Sequence, residues 1–305
     1  MQLHDMEIIW AQKYRPKTVS DVILPKAIKT TLSGHVKDGV LPNMVFAGPA
    51  GCGKTSAALA LCDDLDADVL MLNGSGQDRG IDAVKSRITS FATTSSMEGG
   101  RRCVLMDEAD NMTTDAQMAL RGTIEAVSAN CSFILTCNYP SRIGEAIRSR
   151  CPVLTFTFPS DESQTLQFEM FKRCSTILED NEMPYDNKVL AKLIGTHFPD
   201  FRMILGVLQR ASSGGGINET TAKDSDSADF NVAVSAMKAK DVGLINKWVA
   251  ETPMNQDAVF SWFADDARRR VVYKNDKSYM NAVFYAHEHM RDAAVVGDPL
   301  NNMRV

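Results

Sequence analysis

The sequence predicts an α/β fold, a parallel sheet with helices on both faces, followed by a small helical domain and a second helical region. Three observations carry this. Between Asn43 and Phe158 short apolar stretches alternate with helical patterns, as strands buried on both faces and joined by crossover helices do. The first stretch runs into the glycine-rich segment Gly48-Pro49-Ala50-Gly51-Cys52-Gly53-Lys54-Thr55. After Pro159 the strand signal stops, and apolar residues recur at helical intervals.

The expected strands are Met44–Ala47, Val69–Asn73, Cys103–Met106, Ser132–Cys137 and Val153–Phe158. Ligands of open α/β sheets lie beyond the carboxyl ends of the strands, so Gly48, Asp107 and Asn138 should converge on one crevice. Leu166, Met170, Cys174, Ile177 and Leu178 mark a helix, and Asp161 and Glu162 suit the positive end of its dipole. A second helix is expected from Asp186 to His197, and a third starts at Asp200, an N-cap after Pro199. Ser212-Ser213-Gly214-Gly215-Gly216 and the polar run from Asn218 to Asp229 read as a flexible connection. Beyond it Val232, Val234, Met237, Leu244, Trp248 and Phe260 keep helical spacing. The expected domains are therefore 1–159 around the sheet, a helical lid at 160–213, a linker at 214–229 and a helical region at 230–305. That last region has a limited core of its own, so packing against other subunits is expected.

Composition narrows the class. The 305 residues are 44% hydrophobic and 23% charged, which excludes collagen-like, coiled-coil and wholly disordered chains. Lys and Arg total 33 against 38 Asp and Glu, a net charge of −5, so contact with nucleic acid requires a local basic patch. The seven cysteines (Cys52, Cys62, Cys103, Cys131, Cys137, Cys151 and Cys174) never fall in C-x-x-C and read as buried thiols of a reducing compartment. No apolar run approaches the roughly 18 residues a bilayer span needs, and a cytoplasmic location is expected.

The glycine-rich segment satisfies G-x-x-x-x-G-K-[ST] between an apparent strand and the helix-forming run Ser56-Ala57-Ala58-Leu59-Ala60-Leu61. In such a loop, backbone N–H groups surround phosphates, Lys54 neutralises the β/γ oxygens and the Thr55 hydroxyl ligates Mg²⁺. Gly51, Cys52, Gly53 and Ser56 belong to the same cradle. The second element is the apolar strand ending in Asp107-Glu108. An Asp just past a strand often caps the next helix. A carboxylate pair about fifty residues after a phosphate loop points instead to hydrolysis, with Asp107 in the Mg²⁺ shell and Glu108 orienting the attacking water. The third is Asn138, which ends an apolar strand; such an Asn is either a turn residue or a holder of water or γ-phosphate.

At these residues the sequence resembles the AAA+ ATPases of sliding-clamp loaders, of the replication factor C type. The resemblance is carried by Lys13-Tyr14-Arg15-Pro16, Arg79-Gly80-Ile81-Asp82, Asp107-Glu108-Ala109-Asp110 and Ser149-Arg150-Cys151. Phe198-Pro199-Asp200-Phe201-Arg202 and the short C-terminal region are most similar to the large ATPase subunit in the T-even bacteriophage branch of that family. The resemblance implies a DNA-dependent ATPase of DNA replication that uses ATP and Mg²⁺. Its partners would be identical subunits, a distinct smaller subunit, a sliding clamp and primer–template DNA, in a ring or spiral within the cytoplasm, the host's if the source is viral. ATP binding would open the clamp, and DNA would trigger hydrolysis and release. Arg150 would be an arginine finger acting on a neighbour's γ-phosphate, with Arg148 as a possible substitute. Arg202 would sense nucleotide in cis, and Gln12, Lys13, Tyr14 and Ile23 would lie over adenine and ribose. Arg79 and Lys85 would meet DNA. Residues 230–305 would form an oligomerisation collar. The sequence departs from the cellular pattern at Gly122, where a second arginine often follows Arg121.

Other P-loop ATPases remain as alternatives. A helicase shares the Asp107–Asp110 tetrapeptide but would need a second ATPase lobe, and a metabolite kinase leaves Ser149-Arg150-Cys151 without a role. A nucleotide-locked scaffold would lack catalytic residues that this chain has. His287-Glu288-His289 alternates around a helix instead of sharing one face, and Arg268-Arg269-Arg270 can pair with Asp265-Asp266, so neither argues for a metal or for DNA.

Overall fold

A computed structural model of the protein describes residues 9–75, 81–93, 101–212 and 216–218, with side chains in the 81–93 stretch from Lys85 onward. These belong to the first of two units, Met1–Glu219, the second being Thr220–Val305. Arg79, Gly80, most of the expected linker and the whole of 230–305, including Arg268–Arg270 and His287–His289, lie outside the described residues.

Five parallel strands form one sheet: β1 (Met44–Ala47), β2 (Ala67–Asn73), β3 (Arg101–Asp107), β4 (Ser132–Cys137) and β5 (Val153–Thr155), in the spatial order β2-β3-β4-β1-β5. Alternate residues of each central strand enter different cores. Val45, Val104, Met106, Phe133 and Leu135 join one apolar cluster, while Phe46, Cys103, Leu105 and Ile134 join the other. Burial on both faces is why these strands read as unbroken apolar runs. β2 and β3 begin two residues earlier than their sequence pattern indicates, at Ala67 and Arg101, because their pairing extends past the apolar stretch. β5 stops at Thr155 instead of Phe158 because its partner β1 ends at Ala47. Past that pair the Phe156 N–H still reaches the Ala47 carbonyl at 2.7 Å, and its ring packs beside Phe46 with centroids 5.2 Å apart.

The helices divide between the faces. α1 (Trp10–Lys13) and α2 (Lys26–Asp38) precede the sheet, and α3 (Lys54–Asp64) follows β1. α2 and α3 supply Ile28, Leu32, Ala57, Ala58 and Leu61 to one core. α4 (Ile81–Thr93) and α5 (Thr114–Val127) supply Ile88, Ala92, Leu120 and Ile124 to the other. α5 is N-capped by Thr113, whose hydroxyl accepts from the Ala116 N–H at 3.2 Å. A short α6 (Glu145–Arg148) leads into β5.

Three helices follow the sheet: α7 (Ser160–Asp180), α8 (Asn187–His197) and α9 (Phe201–Ser212). The buried residues of α7 are Leu166, Met170, Cys174, Ile177 and Leu178, the stripe that the spacing marks. Asp186 caps α8 by accepting from the Lys188 and Val189 N–H groups at 2.7 and 3.2 Å. Asp200 caps α9 by accepting from Met203 at 2.8 Å. Glu162 does more than meet its own helix dipole. Its carboxylate accepts from the Lys26 N–H at 2.7 Å and so caps α2, whose own N-cap is a proline without a side-chain acceptor.

All seven cysteines are free and buried. Burial lifts Cys131, Cys137 and Cys151 to about 11 and Cys174 to about 12, and a hydrogen bond with Cys62 together with burial lifts Cys103 well above the usual range. Thiolate is the reactive form, so these groups are inert at neutral pH. Titration of the native protein with an aromatic disulfide reagent should therefore consume less than about one thiol. All seven should react once the chain is unfolded in guanidinium. Rapid native reaction of several would contradict the buried assignment.

Candidate nucleotide-binding site

The crevice forms where strands end and helices begin. β1 stops at Ala47 and α3 starts at Lys54, so the connecting turn must fold back sharply. Gly51 and Gly53 adopt φ of 71° and 92°, backbone that only glycine enters without strain. Gly51 has a second constraint, because a Cβ there would lie 1.8 Å from the Asp200 carboxylate. The Phe201 N–H donates to the Gly51 carbonyl at 3.0 Å, so the start of α9 sits directly on the loop.

Lys54 is 8% exposed, and a buried ammonium is costly unless its donors are satisfied. Its Nζ donates to the Gly48 carbonyl at 2.8 Å, the Pro49 carbonyl at 2.7 Å and Asn138 Oδ1 at 2.9 Å. Those three bonds use the full donor capacity of the group. Asn138 is held in turn by Asp110, whose Oδ2 accepts from the Asn138 and Tyr139 N–H groups at 3.1 and 3.0 Å. The ends of β1, β3 and β4 thus meet around one cation.

Next to it lies an oxygen cluster. Asp107 Oδ1 accepts from the Thr55 hydroxyl at 2.8 Å and from the Thr136 hydroxyl at 2.5 Å. The Thr136 oxygen accepts the Glu108 N–H at 3.1 Å. Glu108 has φ 53°, a left-handed backbone uncommon for a non-glycine residue and found at functional sites. Gly74 lies against that turn: its N–H donates to the Asp107 carbonyl at 2.8 Å, and a Cβ there would meet the Glu108 carbonyl at 2.5 Å. A hydroxyl and a carboxylate in contact suit a hard cation that takes its remaining ligands from phosphate and water.

A cavity of about 260 Å³ opens beside the loop. Gln12, Tyr14, Ile23, Gly51, Gly53, Lys54, Thr55, Ser56 and Arg202 line it, so most of the residues expected to hold a nucleotide share one wall system. Lys13 and Cys52 are not on that wall. The Lys13 ammonium stands 5.1 Å from the centre of the Tyr14 ring, and the Cys52 side chain is fully buried in the apolar core. Arg150 lies elsewhere. Its Nε donates to Glu125 Oε1 at 2.7 Å, its Nη2 pairs with the same oxygen, and its Nη1 donates to the Ala146 carbonyl at 2.7 Å. It is about one-third exposed and contacts α5 and α6 instead of the phosphate loop. Lys85 is exposed on α4.

A family model described as "ATPase family associated with various cellular activities (AAA)" matches residues 44–158. The sliding-clamp-loader large subunit of Enterobacteria phage T4 is 35% identical over 269 residues, which cover 86% of this chain and 82% of the phage protein. The chain belongs to the sliding-clamp-loader family of AAA ATPases. The replication factor C small subunit of Saccharolobus solfataricus is 41% identical over 219 residues, covering 70% of this chain but only 64% of that one. The Thermotoga maritima RuvB Holliday junction branch migration motor shares the fold, with a TM-score of 0.55, 16% identity and coverage of 83% and 86% of the two chains.

Membership of this nucleotide-binding family accounts for the crevice, and the geometry adds residues that its motifs do not mark. Thr136, inside β4, links Asp107 to the Glu108 backbone. Arg173 also lines the cavity, beside Arg15 of the Lys13–Pro16 motif, whose Nε is buried without a hydrogen-bond partner. The side-chain alternation of β4 already puts Thr136 on the opposite face from Leu135, but only its partners across the sheet show what the hydroxyl does. Thr136→Val keeps the shape and removes the hydroxyl. Leaving the Glu108 N–H unpaired should cost about 1–3 kcal/mol in urea unfolding. Turnover should fall while KM for nucleotide holds, and unchanged turnover would show that the hydroxyl does not position Glu108.

Proposed function

We propose that the chain is the ATPase subunit of a sliding-clamp loader, working in a ring or spiral with identical copies and a smaller partner subunit. ATP binding opens the clamp, and primer–template DNA triggers hydrolysis and release. The observation that carries this reading is that Arg150 is not among the residues lining its own chain's nucleotide cavity and is held instead by Glu125 of α5 and the Ala146 carbonyl of α6. A finger so placed serves a neighbour's triphosphate.

The roles follow from the contacts. Backbone N–H groups of Gly51, Cys52 and Gly53 and the start of α3 receive the phosphates, and Lys54 exchanges its carbonyl partners for β/γ oxygens. Thr55 and Asp107 would hold Mg²⁺, which would supply charge neutralisation to the phosphoryl group being transferred. Glu108 orients the attacking water, and Asn138 holds it or reads the γ-phosphate. Arg202 joins the cleft from α9 and links occupancy to lid position. Tyr14, Gln12 and Ile23 cover the base and sugar, with Lys13 behind the Tyr14 ring. Arg79 and Lys85 face DNA. Surface ion pairs contribute about 0–1 kcal/mol, so Arg150 can leave Glu125 for a phosphate at small cost.

The test uses the assembled complex with its clamp and primed template. Lys54→Ala should lose nucleotide binding in a fluorescent ATP-analogue titration. Arg150→Ala should bind the analogue as the parent does while DNA-stimulated turnover falls by roughly 10³-fold or more. Mixing the two variants should restore part of that turnover, because one copy supplies a complete phosphate site and the other an intact finger. Full DNA-stimulated turnover by the Arg150→Ala complex would overturn the shared-site reading.

A further inference from the structure

The lining of the cleft is of two kinds: Gly51, Gly53, Lys54, Thr55 and Ser56 belong to the phosphate loop and the start of α3, while Tyr14, Val22, Ile23, Met170 and Leu205 supply apolar surface. With a triphosphate on the loop, base and sugar would meet this second set, the base end of the cleft. The Tyr14–Asp21 segment there has little regular structure beyond a turn at Val19–Asp21, so something else must fix it.

α7 does so by direct contact. Arg173 donates from Nη2 to the Tyr14 carbonyl at 3.0 Å and from Nη1 to the Asp21 carbonyl at 2.8 Å. At the C-terminal end of the same helix, Asn181 Nδ2 donates to the Tyr14 hydroxyl at 2.5 Å. Trp10 stands edge-on to the Tyr14 ring with centroids 5.7 Å apart, and its backbone N–H donates to Gln209 Oε1 of α9 at 2.9 Å. Burial holds the Arg173 guanidinium below its ordinary pKa, partly offset by the Asp21 charge. A desolvated cation is retained where its donors do something that an apolar residue cannot. Here two nitrogens of one rigid planar fork each take a carbonyl, Tyr14 and Asp21, seven positions apart in sequence, which fixes their spacing more tightly than a flexible ammonium would.

We propose that Arg173 is a positioning residue for the nucleobase, bracing the Tyr14–Asp21 segment to lid helix α7 so that the base end of the cleft forms only with the lid seated. Base recognition and lid position are then one equilibrium, and a ligand that fills the base end favours the seated lid. This rests on the nucleotide-binding reading of the cleft.

The experiment compares ATP with inorganic tripolyphosphate, which has no base, by calorimetric titration of the full chain and its Arg173→Ala and Arg173→Lys variants. ATP affinity should fall about tenfold in Arg173→Ala and by a smaller factor in Arg173→Lys, with tripolyphosphate affinity unchanged in both. Selectivity for ATP over GTP should fall in parallel. If ATP and tripolyphosphate weaken together, or neither weakens, Arg173 does not act through the base. If Arg173→Ala fails to fold, Arg173→Lys carries the same comparison, and an unchanged ratio of the two affinities overturns the proposal. Failure of the parent chain to bind ATP would instead remove the nucleotide reading itself.

Discussion

A buried cation organises the centre of this protein. Lys54 keeps its ammonium almost out of water at the first residue of α3, where burial is tolerable only if each N–H has an acceptor. Two acceptors come from the loop after β1 and the third from Asn138 after β4. Asn138 can supply it because Asp110, beyond the end of β3, holds the backbone at Asn138 and Tyr139. Adjacent parallel strands are what bring these termini together. A sheet with another order would leave the cation without a full set of partners.

The oxygen cluster at Asp107 depends on the same convergence. Thr55 belongs to α3, Asp107 to β3 and Thr136 to β4, yet one carboxylate oxygen accepts from both hydroxyls. The Thr136 oxygen in turn fixes the peptide of Glu108, whose left-handed backbone turns its carboxylate off the line of the strand. Strain at that residue is tolerated because Gly74, lacking a Cβ, allows close approach. Packing and chemistry are therefore not separable here.

The helices after the sheet reach the cleft and the segment beside it through a set of polar contacts. Glu162 caps α2, the Phe201 N–H reaches Gly51, and Arg173, Asn181 and Gln209 hold the segment from Trp10 to Asp21. Such bonds are directional and individually modest, so they can be exchanged when a ligand enters. Arg150 is not part of the cleft lining and is held by a partly exposed pair that is easily released.

Much of this was legible in the chain itself. The phosphate loop, the terminal residues of three strands and the α7 stripe are local patterns with fixed periods, and a period survives whatever tertiary structure surrounds it. The ends of β2, β3 and β5 were less legible, because pairing with a neighbour decides them. What only the folded structure decided is who shares a hydrogen bond across long separations. Arg173 and Tyr14 are 159 positions apart, Lys54 and Asn138 84. Sequence fixes which groups can donate and accept. Only the three-dimensional path of the backbone brings a particular donor within about 3 Å of its acceptor, the range over which such a bond has strength.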